Sequence, residues 1–292
     1  MRRVRNNFVA GDHVKPSWVR RGREWVRRSL ELAARIEPIR RVLFELQHKI
    51  STHRYPVHPF DGQYGITTSG FLPGSVLRSG YSVTETTSNV GYLGGQPSII
   101  RWSLSVCPIH NDAIFLDLGC GKGRALVVAS EFPFRSVIGV EISPELAKLA
   151  EENAQVIGRN FPERTPITVV NGDALDYALP EGNLIIYLYN PFGQELIIRL
   201  LTNIETALLK RDSSIWVVYT NPVWGHILDR SSTLNRVYAE SVPYDPAEIG
   251  FGPDPSELVI IWQGAKNALV NASGGLDREI VVINGQRAEF AD

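Results

Sequence analysis

The sequence predicts an α/β domain: a doubly wound, mostly parallel sheet of seven strands with a helical extension at its N-terminus. Three observations carry this. From residue 113 onward, short continuous apolar runs alternate with helical patterns, as strands do when both sheet faces are covered. The first of those runs ends in a glycine-rich turn that opens a helix. The last two runs are separated by a Pro/Gly-rich loop with no room for a crossover helix, so they pair antiparallel.

The elements follow in order. Trp25, Leu32, Ile36, Ile39, Leu43, Leu46 and Ile50 recur at steps of seven, four and three, which predicts one apolar stripe on a helix from about Trp18 to Ile50. Pro38 should kink or split it, since it lacks a backbone donor and clashes with the preceding turn. Residues 51–100 are rich in Gly, Ser, Thr and Pro, including the run from Ser82 to Asn89, and read as loops and short helices. Strands are expected at Ile114–Leu118, Ser136–Ile142, Ile167–Asn171, Leu184–Tyr189, Ser214–Thr220, Asn235–Val242 and Glu257–Gln263. Helices are expected at Arg124–Phe132, after Ser143-Pro144-Glu145, and over Gln194–Lys210. Ser143 suits the N-cap, Pro144 the first helical position, and Glu145 the first turn. Arg278–Ile283 and Gln286–Phe290 flank Asn284-Gly285, a type I′ hairpin signature. These boundaries divide the chain into a basic extension (1–54), loops and helices before the main domain (55–112), the domain itself (113–265) and a hairpin tail (266–292).

Composition narrows the function classes. The chain has 292 residues, 30 Lys+Arg and 31 Asp+Glu, values typical of a globular protein. Two cysteines exclude a disulfide scaffold and give no zinc spacing. No apolar run is long enough for a membrane helix, and a reducing, cytoplasmic setting is expected. The net charge of −1 hides an asymmetry. Residues 1–54 hold 14 Lys+Arg against 5 Asp+Glu, and the remainder is correspondingly acidic. The basic arm has three readings: its stripe packs on the domain, it attracts nucleic acid, or it lies on an anionic membrane.

The chemistry is concentrated in Asp117-Leu118-Gly119-Cys120-Gly121-Lys122-Gly123-Arg124, a strand end, a turn of alternating glycines and a helix start. Glycine lets the backbone turn sharply and approach a ligand, and the helix start offers free amides. The spacing is G-x-G-x-G, and Arg124 stands where a dinucleotide fingerprint would have its third glycine. An acid before the glycines suits a ligand with a cationic amino-acid moiety better than a pyrophosphate.

Here the sequence resembles the class I S-adenosylmethionine-dependent methyltransferases. Asp117-x-Gly119-x-Gly121 looks like their motif I. Glu141 ends the second strand, where the family binds the ribose hydroxyls. Asp173 follows the third strand, where the family places an acid near the adenine. Asn190-Pro191-Phe192-Gly193 follows the fourth, where the family keeps motif IV. The resemblance implies a Rossmann-like methyltransferase fold and S-adenosyl-L-methionine as cofactor. It implies cofactor contacts from Asp117, Gly119, Cys120, Gly121, Glu141, Ile142, Asp173, Ala174 and Asn190. Tyr92 and the segment Gln96-Pro97-Ser98 look like the pre-motif segment of the seven-strand protein-lysine methyltransferases, where a Tyr and its loop close over the cofactor. Tyr64, Thr67 and Thr68 belong to the same lid or to an ordinary surface loop.

Asn190, Pro191 and Phe192 are the expected acceptor-side residues. The Asn carbonyl can accept a hydrogen bond from an amine, Pro191 stiffens the turn, and Phe192 can stack on a flat or cationic group. Lys122 and Arg124 either support the cofactor's carboxylate or pair with nearby acids. No metal is implied. His13, His48, His53, His58, His110 and His226 form no ligand pair and read as surface or loop residues, and Cys120 as a small filler. The expected activity is methyl transfer to an amine nitrogen, most suitably on a protein lysine. A nucleobase or small-molecule acceptor is the alternative. A non-catalytic cofactor-binding module with a basic scaffold arm is the reading from another class, and a dehydrogenase a distant third.

Overall fold

The computed structural model describes residues 39, 42, 44–46, 56–73, 91–252, 254–265, 279–283 and 286–291. Seven strands form one sheet: β3 (Ile114–Leu118), β4 (Ser136–Glu141), β5 (Ile167–Asn171), β6 (Leu184–Tyr189), β7 (Ile215–Thr220), β8 (Leu234–Pro243) and β9 (Ser256–Gly264). Their order is β5-β4-β3-β6-β7-β9-β8. The first five run parallel, and β9 and β8 are antiparallel, as the missing crossover helix predicts. The chain steps from β3 outward to β5 and then returns to place β6 on the other side of β3. That reversal opens a crevice beyond the carboxyl ends of β3 and β6.

Burial follows the layers. Central β3 is buried at every position, whereas the outermost parallel strand β5 is only partly covered. Helices α2 (Pro97–Ser105), α3 (Arg124–Ala129) and α4 (Pro144–Asn160) contribute to the core on one face, with Phe115, Val137 and Tyr187. Helix α5 (Gln194–Lys210) covers the other, inserting Ile197, Leu200, Ile204 and Leu208 against Leu116, Ile186 and Val217. Ser143 caps α4 by accepting a hydrogen bond from the Leu146 amide at 3.4 Å, with Pro144 next. Helix α3 is shorter than expected. The Glu131 and Phe132 amides turn back to the carbonyls of Val128 and Ala129, a tightened last turn that ends it.

Ahead of the sheet lie α1 (Pro59–Tyr64) and a two-residue ladder of β1 (Phe71–Leu72) and β2 (Tyr92–Leu93). After it, β10 (Ile280–Ile283) and β11 (Arg287–Phe290) pair as the expected hairpin; its Asn284-Gly285 turn lies outside the described residues. Most of the basic extension, with the Pro38 kink and the Ser82–Asn89 run, also lies outside them. Within that extension the stripe reading needs correction. The described Ile39 and Leu46 are exposed, while Phe44 is buried against Leu72, Tyr92 and Leu146. Phe44 and Leu46 are two positions apart, or about 200° of helix, so the two cannot share an inward face.

Candidate active site

The turn after β3 is held by the neighbouring strand. The amides of Gly119 and Cys120 both donate to the Val140 carbonyl, at 2.9 and 3.1 Å, and the Gly123 amide closes the turn on the Cys120 carbonyl at 2.8 Å. Gly121 has φ +56, and a Cβ there would lie 2.3 Å from ring carbons of Tyr92. Glycine is therefore required twice over, by backbone sign and by the tyrosine laid across the turn.

Glu141 ends β4 and clamps this turn. Its Oε2 accepts from the Gly121 amide and its Oε1 from the Ser143 amide, both at 2.8 Å. Burial pushes its carboxyl above the ordinary range, and these amides oppose the shift. Asp117 is 4% exposed, and its carboxyl is pushed well up by burial and by the charge of Glu141. Among the described residues nothing hydrogen bonds to the Asp117 carboxylate. Asp173 accepts from the Leu175 amide at 2.8 Å and shapes the loop after β5.

All of the expected cofactor and acceptor residues line one cleft of about 1120 Å³, mouth included, with the exception of Asn190. Pro191 and Phe192 line it beside the glycine turn; a Cβ on Gly119 would sit 2.9 Å from the Pro191 Cβ. Asn190 has φ +40 and is 9% exposed. Its Oδ1 faces the Tyr219 hydroxyl at 3.5 Å, across β6 and β7. Its side chain thus faces a neighbouring strand and not the cleft. Sequence reasoning missed Tyr187 and Tyr189 on β6, the backbone of Gly94-Gly95, and Arg199 on α5, all on the cleft wall. The signal was present for the tyrosines: they are the two polar-tipped residues of an otherwise apolar run and point to one face.

The two cations after the glycines serve the segment ahead of the sheet. Lys122 is fully buried, and its Nζ donates to the Ser69 carbonyl at 2.6 Å; burial pushes its pKa down to about 8. Arg124 donates from Nε to Thr68 Oγ1 at 2.7 Å and from Nη1 to the Gly94 and Gly95 carbonyls at 3.1 and 3.2 Å. Its Nη2 lies 3.9 Å from Asp61, so of the two readings Arg124 meets the nearby acid. Asp61 in turn accepts from the Thr68 and Ser69 amides at 2.8 Å. Thr67 exchanges two hydrogen bonds with Asn153 of α4, and the Tyr92 hydroxyl donates to the Thr68 carbonyl. Residues 67–69 are therefore tied to the glycine turn and α4 from several sides. His58 is not a surface residue. It is buried, its Nδ1 accepts from the Phe60 amide at 3.1 Å, and Nε2 consequently donates to Gln96 Oε1 at 3.0 Å. Burial and Arg124 lower its pKa to about 4. Cys120 is buried inside the turn, as a filler would be.

Comparison with known proteins agrees with this geometry. Residues 115–209 match the model of a methyltransferase domain. A protein-lysine N-methyltransferase of Saccharolobus islandicus is 28% identical over 124 residues, 41% of this chain and 66% of that protein. A release factor glutamine methyltransferase of Vibrio cholerae is 54% identical over 44 residues, 15% of each chain. Protein arginine N-methyltransferase 1 of Chlamydomonas reinhardtii is 26% identical over 144 residues, 49% of this chain and 38% of that protein. The chain thus spans at most 66% of the length of these relatives. The strand-end acids, the clamped glycine turn, the sheet order and the family match agree on one assignment: residues 115–209 form a class I S-adenosylmethionine-dependent methyltransferase domain.

Proposed function

We propose that the chain transfers a methyl group from S-adenosyl-L-methionine to an amine nitrogen of a protein, most suitably a lysine. The observation that carries the cofactor side is Asp117, a buried acid on the cleft wall with no hydrogen-bond partner among the described residues. Such a group is costly unless a cation meets it, and the cofactor's amino-acid end supplies an ammonium. Glu141 keeps lone pairs beyond the two it gives to amides, enough to accept from ribose hydroxyls. Asp173, Ala174, Ile142 and the Gly119–Gly121 turn would complete the pocket, under Tyr92. When bound, the cofactor supplies an electrophilic methyl group on a sulfonium.

The chain's part is to bind, align and exclude water. Pro191, Phe192, Tyr187 and Tyr189 give the acceptor end an apolar and aromatic wall suited to a flat or cationic group. Asn190 would hold the turn that aims Pro191 and Phe192. The protein acceptor is supported by the relatives, whose names specify lysine, glutamine and arginine methylation. Residues 55–112 act in this reading as the lid and residues 1–54 as the arm that engages the partner.

The test is incubation of the purified chain with methyl-labelled cofactor and cell lysate, divided between nuclease and protease. Label should be lost to protease. Loss to nuclease, or label in the small-molecule fraction, refutes a protein acceptor. Cofactor binding without turnover in any fraction makes the chain a binding module.

A further inference from the structure

We propose that the acceptor end of the cleft carries its own proton sink: Glu257, reached from the cleft through the hydroxyl of Tyr189. The inference rests on the amine-transfer reading above. The acids assigned to the cofactor sit at β3, β4 and the loop after β5. Tyr189 lines the same cleft from the end of β6, the neighbour of β3 on the side away from β4 and β5, and a Cβ on Gly95 would lie 3.6 Å from its ring. Behind it lies Glu257, the second residue of β9, 8% exposed. Glu257 Oε2 accepts from the Tyr244 hydroxyl at 2.9 Å and from the Tyr189 hydroxyl at 3.4 Å.

Of the charged groups around Glu257, Arg287 favours the carboxylate only from a distance, because acids engage it directly. Arg287 on β11 engages Asp254 and also Glu289, and Asp254 adds a second negative charge in front of β9. Tyr187 is the further titratable group on β6 that senses the carboxylate. Among the described residues its hydrogen-bond partners are therefore two phenols. An apolar side chain would fill this position at lower cost to the fold. Burial also sets its acidity. The Glu257 carboxyl is pushed up to about 7, where a proton acceptor serves best at neutral pH.

Amines carry a proton at neutral pH and have no lone pair for a methyl group until it leaves. In the proposed step the acceptor's N–H bond breaks and its proton passes to Tyr189 Oη. The phenol's own proton passes to Glu257 Oε2. Tyr189 ends unchanged, the carboxylate becomes a carboxylic acid, and the nitrogen is left with a free pair.

The test uses the full chain, Glu257→Gln and Tyr189→Phe, with two readouts. Infrared titration should show a protonated carboxyl band disappearing near pH 7, absent in Glu257→Gln and displaced in Tyr189→Phe. Label transfer to the protein fraction of a lysate, at saturating cofactor, should rise about tenfold per pH unit below that midpoint and level above it. Both variants should lose roughly 10²-fold or more in rate and lose the acidic limb, with cofactor affinity by calorimetry unchanged. An acidic limb that survives in both variants overturns the inference, as does a parallel loss of cofactor affinity. A wild type that transfers label without the infrared band overturns the proton sink alone. A wild type that transfers no label overturns the amine-transfer reading, and the sink's role with it.

Discussion

Replacing Gly121 by Ala puts a methyl group where the ring of Tyr92 already lies. The new Cβ would be 2.3 Å from the ring, against the 3.4 Å or more of ordinary contact, so the ring must retreat by about 1 Å. Two costs follow. An L-residue at φ +56 loses about 1–2 kcal/mol in the left-handed region. A displaced Tyr92 lets go of the Thr68 carbonyl, and leaving that buried group unmet costs about 1–3 kcal/mol. Gly121→Ala should therefore lower the unfolding free energy by about 3 kcal/mol, read by urea denaturation. In a Tyr92→Ala background the ring is gone and only the backbone cost of about 1 kcal/mol remains. The double-mutant cycle should give a coupling of about 2 kcal/mol. An equal cost of Gly121→Ala in both backgrounds would refute the stacking of Tyr92 on the turn.

Three further outcomes are expected. Glu257 is held up to about 7, so between its unfolded and folded values the unfolded chain ionises while the folded one stays protonated, and stability falls as pH rises. Glu257→Gln should remove that fall: denaturation at pH 8 should show it more stable by up to about 3 kcal/mol, with no gain near pH 4. Asp117→Asn should weaken S-adenosylmethionine binding at least about tenfold by calorimetry while leaving 5′-methylthioadenosine, which lacks the amino-acid end, within about twofold; equal losses for both ligands would unseat the ammonium contact. Asp61→Asn should weaken the anchoring of the Thr68 and Ser69 amides and speed proteolysis within residues 64–73 several-fold, and an unchanged cleavage rate would count against the clip.

The sheet was legible because its central strands β3 and β6 are almost continuous apolar runs, and they and their neighbours fall within a residue or so of their sequence boundaries. Strand-end acids were legible because they follow those runs at fixed places. What sequence could not give was direction. Asn190 lies at its expected turn, yet its φ of +40 swings the side chain toward Tyr219. His58 looks like any loop histidine, and its burial involves partners distant in sequence, Gln96 and the Phe251 ring. Glu257 reads as the start of a strand; its pKa is raised by burial, and the tyrosines that hold its carboxylate lie 13 and 68 positions away. Phe44 escaped the helical stripe because the residues it meets lie far along the chain.

Phe44 rests on Tyr92 and Leu146, and both of those line the cleft. That contact makes the arm and the cleft thermodynamically reciprocal. A ligand of residues 1–54 that moves Phe44, and with it Tyr92 or Leu146, alters affinity in the cleft by some factor. Occupancy of the cleft then alters that ligand's affinity for the arm by the same factor.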